Sequence, residues 1–174
     1  LFSIEEPLLS TPNCQPLLYQ RYLDDIFAIF PSVESAESYG IAFNHQVCNE
    51  IQLDAITIGK SGIFQDLSIT LLPQLSGHLD IPFQYSVSIK LYQKPSNKYL
   101  YIPPTSSHQQ HIIQNFIYNE LCRYKLYNSS TDDFLRCKEQ FFLRLQARGY
   151  NIHFLQRIFN KPIPIRRDIL TRKR

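Results

Sequence analysis

Tyr22-Leu23-Asp24-Asp25 stands between two apolar runs, Pro16-Leu17-Leu18-Tyr19 and Ile26-Phe27-Ala28-Ile29-Phe30. Two adjacent carboxylates in such a setting restrict the fold severely, because burying them without compensation is costly. On one continuous strand Asp24 and Asp25 would point to opposite faces. A tight turn removes the conflict: the apolar runs become the arms of a hairpin and both carboxylates reach one cleft at its tip. Hard cations such as Mg²⁺ take carboxylate oxygens and keep the rest of their shell for water and phosphates. The pattern therefore predicts a cation at the tip, in the arrangement that two-metal phosphoryl transfer requires.

The flanks predict an α+β chain. Residues 1–15 are interrupted by Pro and Ser and read as an incoming loop. After the hairpin, Pro31-Ser32 with Glu34 and Glu37 signals a helix start, and the spacing of Val33, Ala36, Phe43 and Val47 predicts a helix over 33–49. Two β runs, 51–58 and 63–71, flank the turn sequence Gly59-Lys60-Ser61-Gly62. Beyond a turn at Pro73 to Gly77, Phe83, Tyr85, Val87, Ile89 and Leu91 alternate with polar residues. Residues 94–107 form an irregular connector. The period then switches to that of helices: Ile112, Ile113, Phe116, Ile117 and Leu121 make one stripe, and Phe134, Leu135, Phe141, Phe142 and Leu145 a second. Ile152, Leu155, Ile158 and Phe159 make the third. Ser130-x-x-Asp133 resembles a capping box, Gly149 stops the second helix, and Asn151 caps the third. The three stripes predict a small helical core.

With 174 residues the chain suits one ordinary domain or two small ones. Its 44% hydrophobic content is that of a globular protein. No apolar run approaches the ~20 residues of a membrane span. Cys14, Cys48, Cys122 and Cys137 follow no disulfide-framework spacing, which favours an intracellular, reduced setting. His108-x-x-His111, with Cys122 and Cys137 following, has a spacing that admits a zinc ion but matches no common finger pattern. The net charge of +3 is unevenly distributed. Residues 1–143 hold 9 Lys/Arg against 14 Asp/Glu, a net of −5, and residues 144–174 hold 9 Lys/Arg against Asp168 alone, a net of +8. A basic end on an acidic chain is a handle for a polyanion. Arg144, Arg148 and Arg157 lie on predicted helices, well placed to meet phosphates.

Tyr-x-Asp-Asp followed by a hydrophobic strand resembles the active-site motif of reverse transcriptases, and further strings narrow the resemblance to those of Penelope-like retroelements. Phe64-Gln65-Asp66-Leu67-Ser68-Ile69 is similar to their Phe-Leu-Asp-Leu/Val-x-Ile string, and Tyr92-Gln93-Lys94-Pro95-Ser96-Asn97 to their Tyr-x-Lys-Pro-Thr segment. Ser106-Ser107-His108 resembles the start of a Ser-x-His-Pro string, with Gln109 where proline is usual, and Arg148-Gly149-Tyr150 closes the second thumb helix as in that family. The matches run in the family's order from about residue 19 to 160.

The resemblance implies RNA-templated DNA synthesis, with RNA template, DNA primer and deoxynucleotides as partners, no membrane, and a nuclear location. It implies the later part of a polymerase palm over 1–94, an antiparallel sheet with one helix. A connector over 95–107, a three-helix thumb over 108–161 and a basic tail over 162–174 would follow. Asp24 would bind the catalytic Mg²⁺ pair with Asp25 beside it, and Tyr22 would pack near the primer terminus. Lys94, with Tyr92, Tyr99 and Tyr101, would hold the primer backbone, while Arg123, Arg144 and Arg148 would face the template–primer duplex. Ordinary surface charge is the plain alternative for each basic residue.

In such enzymes a further metal-binding Asp lies on a strand upstream of the hairpin. None of the 21 residues before Tyr22 is an Asp, and Asp54 and Asp66 come in the wrong chain order. With Leu1 at its start and no Met, the chain is expected to be a piece of a longer reading frame that holds half of a catalytic site. Two other functions stay open. The helices at 109–127, 131–148 and 151–160 also suit a helix-turn-helix-like DNA-binding module reading bases through Gln156, Arg157 and Asn160. A decayed element fragment without activity is the other.

Overall fold

The computed structural model describes residues 2–12, 14–46, 53, 56–74 and 84–163. The protein is α+β, and its contacts divide it into two compact units, Leu1–Gln65 and Asp66–Arg174. That division falls well before the palm–connector boundary expected near residue 94.

In the first unit, α1 (Phe2–Leu9) leads into β1 (Leu18–Tyr22) and β2 (Asp25–Ile29), followed by α2 (Val33–Gln46) and β3 (Ser61–Phe64). The helix α1 replaces the expected incoming loop. Pro7 lies inside it and removes only one helical hydrogen bond, while Leu8 is fully buried against Cys14, Tyr39 and Phe43. Packing outweighs the breaker. The hairpin forms as its sequence predicts, antiparallel with Tyr22 opposite Asp25 and a two-residue loop of Leu23 and Asp24. Leu23 has φ +54°, the positive value that two-residue hairpin loops need at a central position. Alternation puts Tyr19 and Arg21 on the inner, half-buried side of β1 and Gln20 and Tyr22 on the outer, exposed side. On α2, Ser32 accepts a hydrogen bond from the Ser35 amide, and Tyr39 packs 5.3 Å from Phe30 and 6.1 Å from Phe43 between ring centroids.

The expected strand over 51–58 lies largely outside the described residues, and its described part, Leu53 and Ile56 to Ile58, is not a strand. Leu53 donates its amide to Asn44 Oδ1 at 2.8 Å, and Ile56 closes onto Gly40, where a Cβ would stand 2.8 Å from Ile56 Cδ1. This stretch lies along α2, and the absence of a side chain at Gly40 lets it approach. Gly59 to Gly62 is not one turn either, because Ser61 and Gly62 already belong to β3.

The second unit begins with β4 (Leu67–Gln74) and β5 (Gln84–Leu91), and continues through α3 (Gln110–Tyr127), α4 (Thr131–Ala147) and α5 (Ile152–Phe159). The single strand expected over 63–71 is broken, because Gln65, at φ +55°, and Asp66 turn the chain between β3 and β4. Pro73 and Gln74 belong to β4, not to a turn, and the rest of the turn expected from Pro73 to Gly77 lies outside the described residues. The β4–β5 register places Leu67, Ile69 and Leu71 opposite Leu91, Ile89 and Val87, so the apolar alternations of the two strands share one face. At the Leu91 end that face joins the helical core of Ile117, Leu121, Phe141, Leu145, Leu155 and neighbours.

The three predicted stripes fall on three helices and are for the most part buried, but Ile112, Leu135 and Ile152, one from each, are exposed. Two caps form as their sequences suggest. Asn151 Oδ1 accepts from the amides of His153 and Phe154, and Ser130 Oγ accepts from Asp132. The reciprocal half of the Ser130 box is absent, since the Asp133 carboxylate pairs with Lys90 at 2.9 Å. Among the described residues no helix is long and apolar enough to cross a membrane.

Candidate metal-binding hairpin and cleft

At the hairpin tip Tyr22, Asp24 and Asp25 lie together and all three are exposed. The carboxylates therefore escape the burial cost that their apolar flanks suggested: the inner face of the arms packs, and the turn carries the charges into solvent. Their oxygens are hard donors of the kind Mg²⁺ prefers. Among the described residues no group of three or more His, Cys, Asp or Glu converges, so the hairpin offers two ligands and not a full cage. Two are compatible with Mg²⁺, which binds through one or two carboxylates and completes its shell with water and phosphate oxygens.

Two residues under the tip went unnoticed in the sequence. Arg21 donates Nε–H to the Leu23 carbonyl at 2.8 Å and Nη1–H to Glu5 Oε1 at 2.5 Å. Glu5, on α1, is the one buried charged residue among the described residues, 3% exposed. The alternation of β1 already put Arg21 on the core side, where a charge needs a partner. The partner itself lay in a segment read as loop.

In the second unit Asp66, the end of β5, the connector and α3 border a cleft of about 520 Å³, lined by Lys94, Asn97, Tyr99, Glu120 and Arg123 among others. Lys94 is exposed and has no carboxylate partner among the described residues. Arg123 is engaged: its fork donates to Glu120 at 2.7 and 3.0 Å, and it reaches Asp66 at 3.3 Å. The Glu120 hydrogen bonds hold its guanidinium above the ordinary arginine range. Asp66 is one end of this bridge.

Arg144 is also engaged, its Cζ 3.5 Å from the Tyr99 ring centroid and Nη2 2.9 Å from Gln93 Oε1. Tyr99 has φ +48°, a strained conformation for a bulky residue. It is held by the Arg144 stack, by its hydroxyl donating to Gln93, and by its amide donating to Asn97. Arg144 Nη1 and Gln93 Nε2 are buried without partners among the described residues, leaving two donors at this junction for an acceptor. Arg148 donates to the Tyr101 carbonyl at 3.1 Å. Tyr92, Tyr99 and Tyr101 thus line the same cleft as Lys94, whereas Arg144 and Arg148 fasten the end of α4 to Gln93, Tyr99 and Tyr101 and Arg123 joins α3 to Asp66.

The zinc arrangement does not form. His108 pairs with Ser106, Cys137 is buried beside Asn128, and no cluster joins His108, His111, Cys122 and Cys137. The basic tail beyond Ile163 lies outside the described residues. No protein-family model, no curated protein and no solved structure matches this chain.

Proposed function

We propose that this chain carries the metal-binding hairpin and the template–primer-binding portion of an RNA-directed DNA polymerase of the Penelope-like kind. The observation that supports it most is the hairpin itself. A string chosen for two carboxylates folds into a two-residue turn that exposes both, with Tyr22 opposite Asp25. Asp24 and Asp25 would hold Mg²⁺, which in phosphoryl transfer activates the attacking hydroxyl and neutralises the leaving group. Tyr22 offers a ring beside the carboxylates on which a primer end can rest. Lys94, which lines the cleft and is exposed, supplies a cation for a backbone phosphate, and Tyr99 a ring in the same cleft. Arg123 supports that surface more than it contacts a duplex, since all three of its nitrogens engage carboxylates, whereas Arg144 and Arg148 each commit one nitrogen to a hydrogen bond and keep donors for phosphates.

The test is fluorescence anisotropy with a labelled RNA–DNA hybrid over a range of salt and Mg²⁺ concentrations. Binding should weaken steeply with salt, tighten with Mg²⁺, and show no sequence preference. Asp24→Asn should lose the Mg²⁺-dependent part alone, and Lys94→Ala should weaken binding in all conditions. Identical Mg²⁺ responses in Asp24→Asn and the unaltered chain would defeat this reading. With only two carboxylates at the tip, residues 1–174 should not extend a primer; templated synthesis lost in Asp24→Ala would contradict that.

A helix-turn-helix-like function draws support from α5, where Leu155, Ile158 and Phe159 are buried while Gln156, Arg157 and Asn160 are exposed. Preference for one duplex DNA sequence in the same titrations would favour it.

A further inference from the structure

We propose that Arg21, held by Glu5, is a positioning residue for the Asp24–Asp25 carboxylates; the proposal rests on reading those carboxylates as metal ligands. The Leu23 carbonyl that accepts from Arg21 Nε belongs to the peptide joining Leu23 to Asp24. Holding that oxygen fixes the orientation of the peptide plane from which Asp24 departs. The turn needs such a hold, because Leu23 sits at φ +54°, a conformation unfavourable for a residue with a Cβ. Leu23 is 74% exposed, so packing of its side chain does little to keep it there.

Arg21 can serve as the hold because it is itself fixed. Its other arm ends on Glu5, and Glu5 is buried on α1, 16 residues earlier in the chain. Tyr19 and Tyr39, whose rings meet edge to face, lie close to this pair. A guanidinium suits the task where an ammonium does not: its planar fork donates in two directions at once. The chain of contacts runs from the buried α1 carboxylate through Arg21 to the turn backbone. Partners behind a metal ligand fix its orientation in this way, and their loss typically costs 10–100-fold in metal affinity.

The test uses Mn²⁺ as a paramagnetic stand-in for Mg²⁺ and ¹⁵N-labelled protein, without nucleic acid. Mn²⁺ should broaden the Asp24 and Asp25 amide signals saturably, and the heteronuclear NOE should show an ordered turn at Leu23 and Asp24. Arg21→Lys keeps a charge for Glu5 but cannot also hold the Leu23 carbonyl. It should leave the α2 signals in place, lower the NOE at Leu23 and Asp24, and raise the Mn²⁺ concentration for half-broadening about tenfold. Glu5→Gln should act in the same direction, and it decides the matter if Arg21→Lys fails to fold. Asp24→Asn should show the opposite signature, an ordered turn with the broadening lost.

An ordered turn in Arg21→Lys, or a loosened turn with unchanged Mn²⁺ affinity, would overturn the positioning role while the metal reading stood. No broadening in the unaltered chain would sink the metal reading and the positioning role together. The two failures are thus told apart by the unaltered chain alone.

Discussion

Asn128 shows how much one side chain can organise. It follows the last turn of α3 and is 2% exposed. Its Oδ1 accepts the Leu91 amide at 3.1 Å and its Nδ2 donates to the Tyr124 carbonyl at 2.7 Å. One amide thus closes the end of a helix and fastens β5 to it, with Ser129 repeating the link through Ile89. Asn128→Ala would leave a buried donor and a buried acceptor unpaired, a loss of about 2 kcal/mol. The midpoint of urea unfolding should fall accordingly, with the slope of the transition unchanged. The residues under the hairpin tip act at the same scale. Arg21 and Glu5 touch no expected ligand, yet they fasten the backbone from which Asp24 projects.

Among the elements, the joint between α4 and α5 is the most fully determined by local sequence. Gly149 adopts φ +96°, its amide donates to the Gln146 carbonyl at 2.9 Å, and Tyr150 donates to Leu145 at 3.2 Å. These two bonds form the motif that ends many helices at a left-handed glycine. Tyr150 then turns inward and donates its hydroxyl to the Ile102 carbonyl. A Cβ at Gly149 would meet only Pro104 Cγ at 3.7 Å, an ordinary contact. Gly149→Ala should therefore cost only the conformational term, about 1 kcal/mol, seen as a drop of several degrees in melting followed by circular dichroism. Gly149→Asn should cost less, because Asn tolerates this conformation. The segment α1 is the opposite case: eight residues with a proline inside are helical because Leu8 and Glu5 are buried, not because of propensity.

Over the whole molecule both units place tyrosine hydroxyls inside small cores. Burial pushes the pKa of Tyr19 and Tyr39 in the first unit, and of Tyr124 and Tyr150 in the second, above the usual 10.0. In the unfolded chain these phenols lose their protons near the ordinary value, while the folded protein retains them. The unfolded state then binds fewer protons, so stability falls as pH rises past about 10. Melting temperatures should stay flat in this respect below pH 9 and decline above it, with tyrosinate absorbance appearing together with unfolding. Absorbance from these four tyrosines before any loss of structure would contradict their burial.

What the sequence determined alone is local. The hairpin follows from two apolar runs around a four-residue string. The bounds of α3, α4 and α5 follow from 3.6-residue stripes and their caps, and the shared apolar face of β4 and β5 from period-two alternation. Each rests on neighbours a few residues apart, where covalent geometry already dictates what can meet. Tertiary structure decided the rest. Whether Asp24 and Asp25 are buried depended on which face of the arms packs. The partner of Arg21 lay 16 residues away in a segment that reads as loop, and that of Arg144 lay 51 residues away in Gln93. The division at Gln65 arose because Leu91 and the Asn128 latch join β5 to the helices. Contacts at such separations leave no period in the sequence. They exist only once burial has brought distant charges and orphaned backbone groups close enough to need one another.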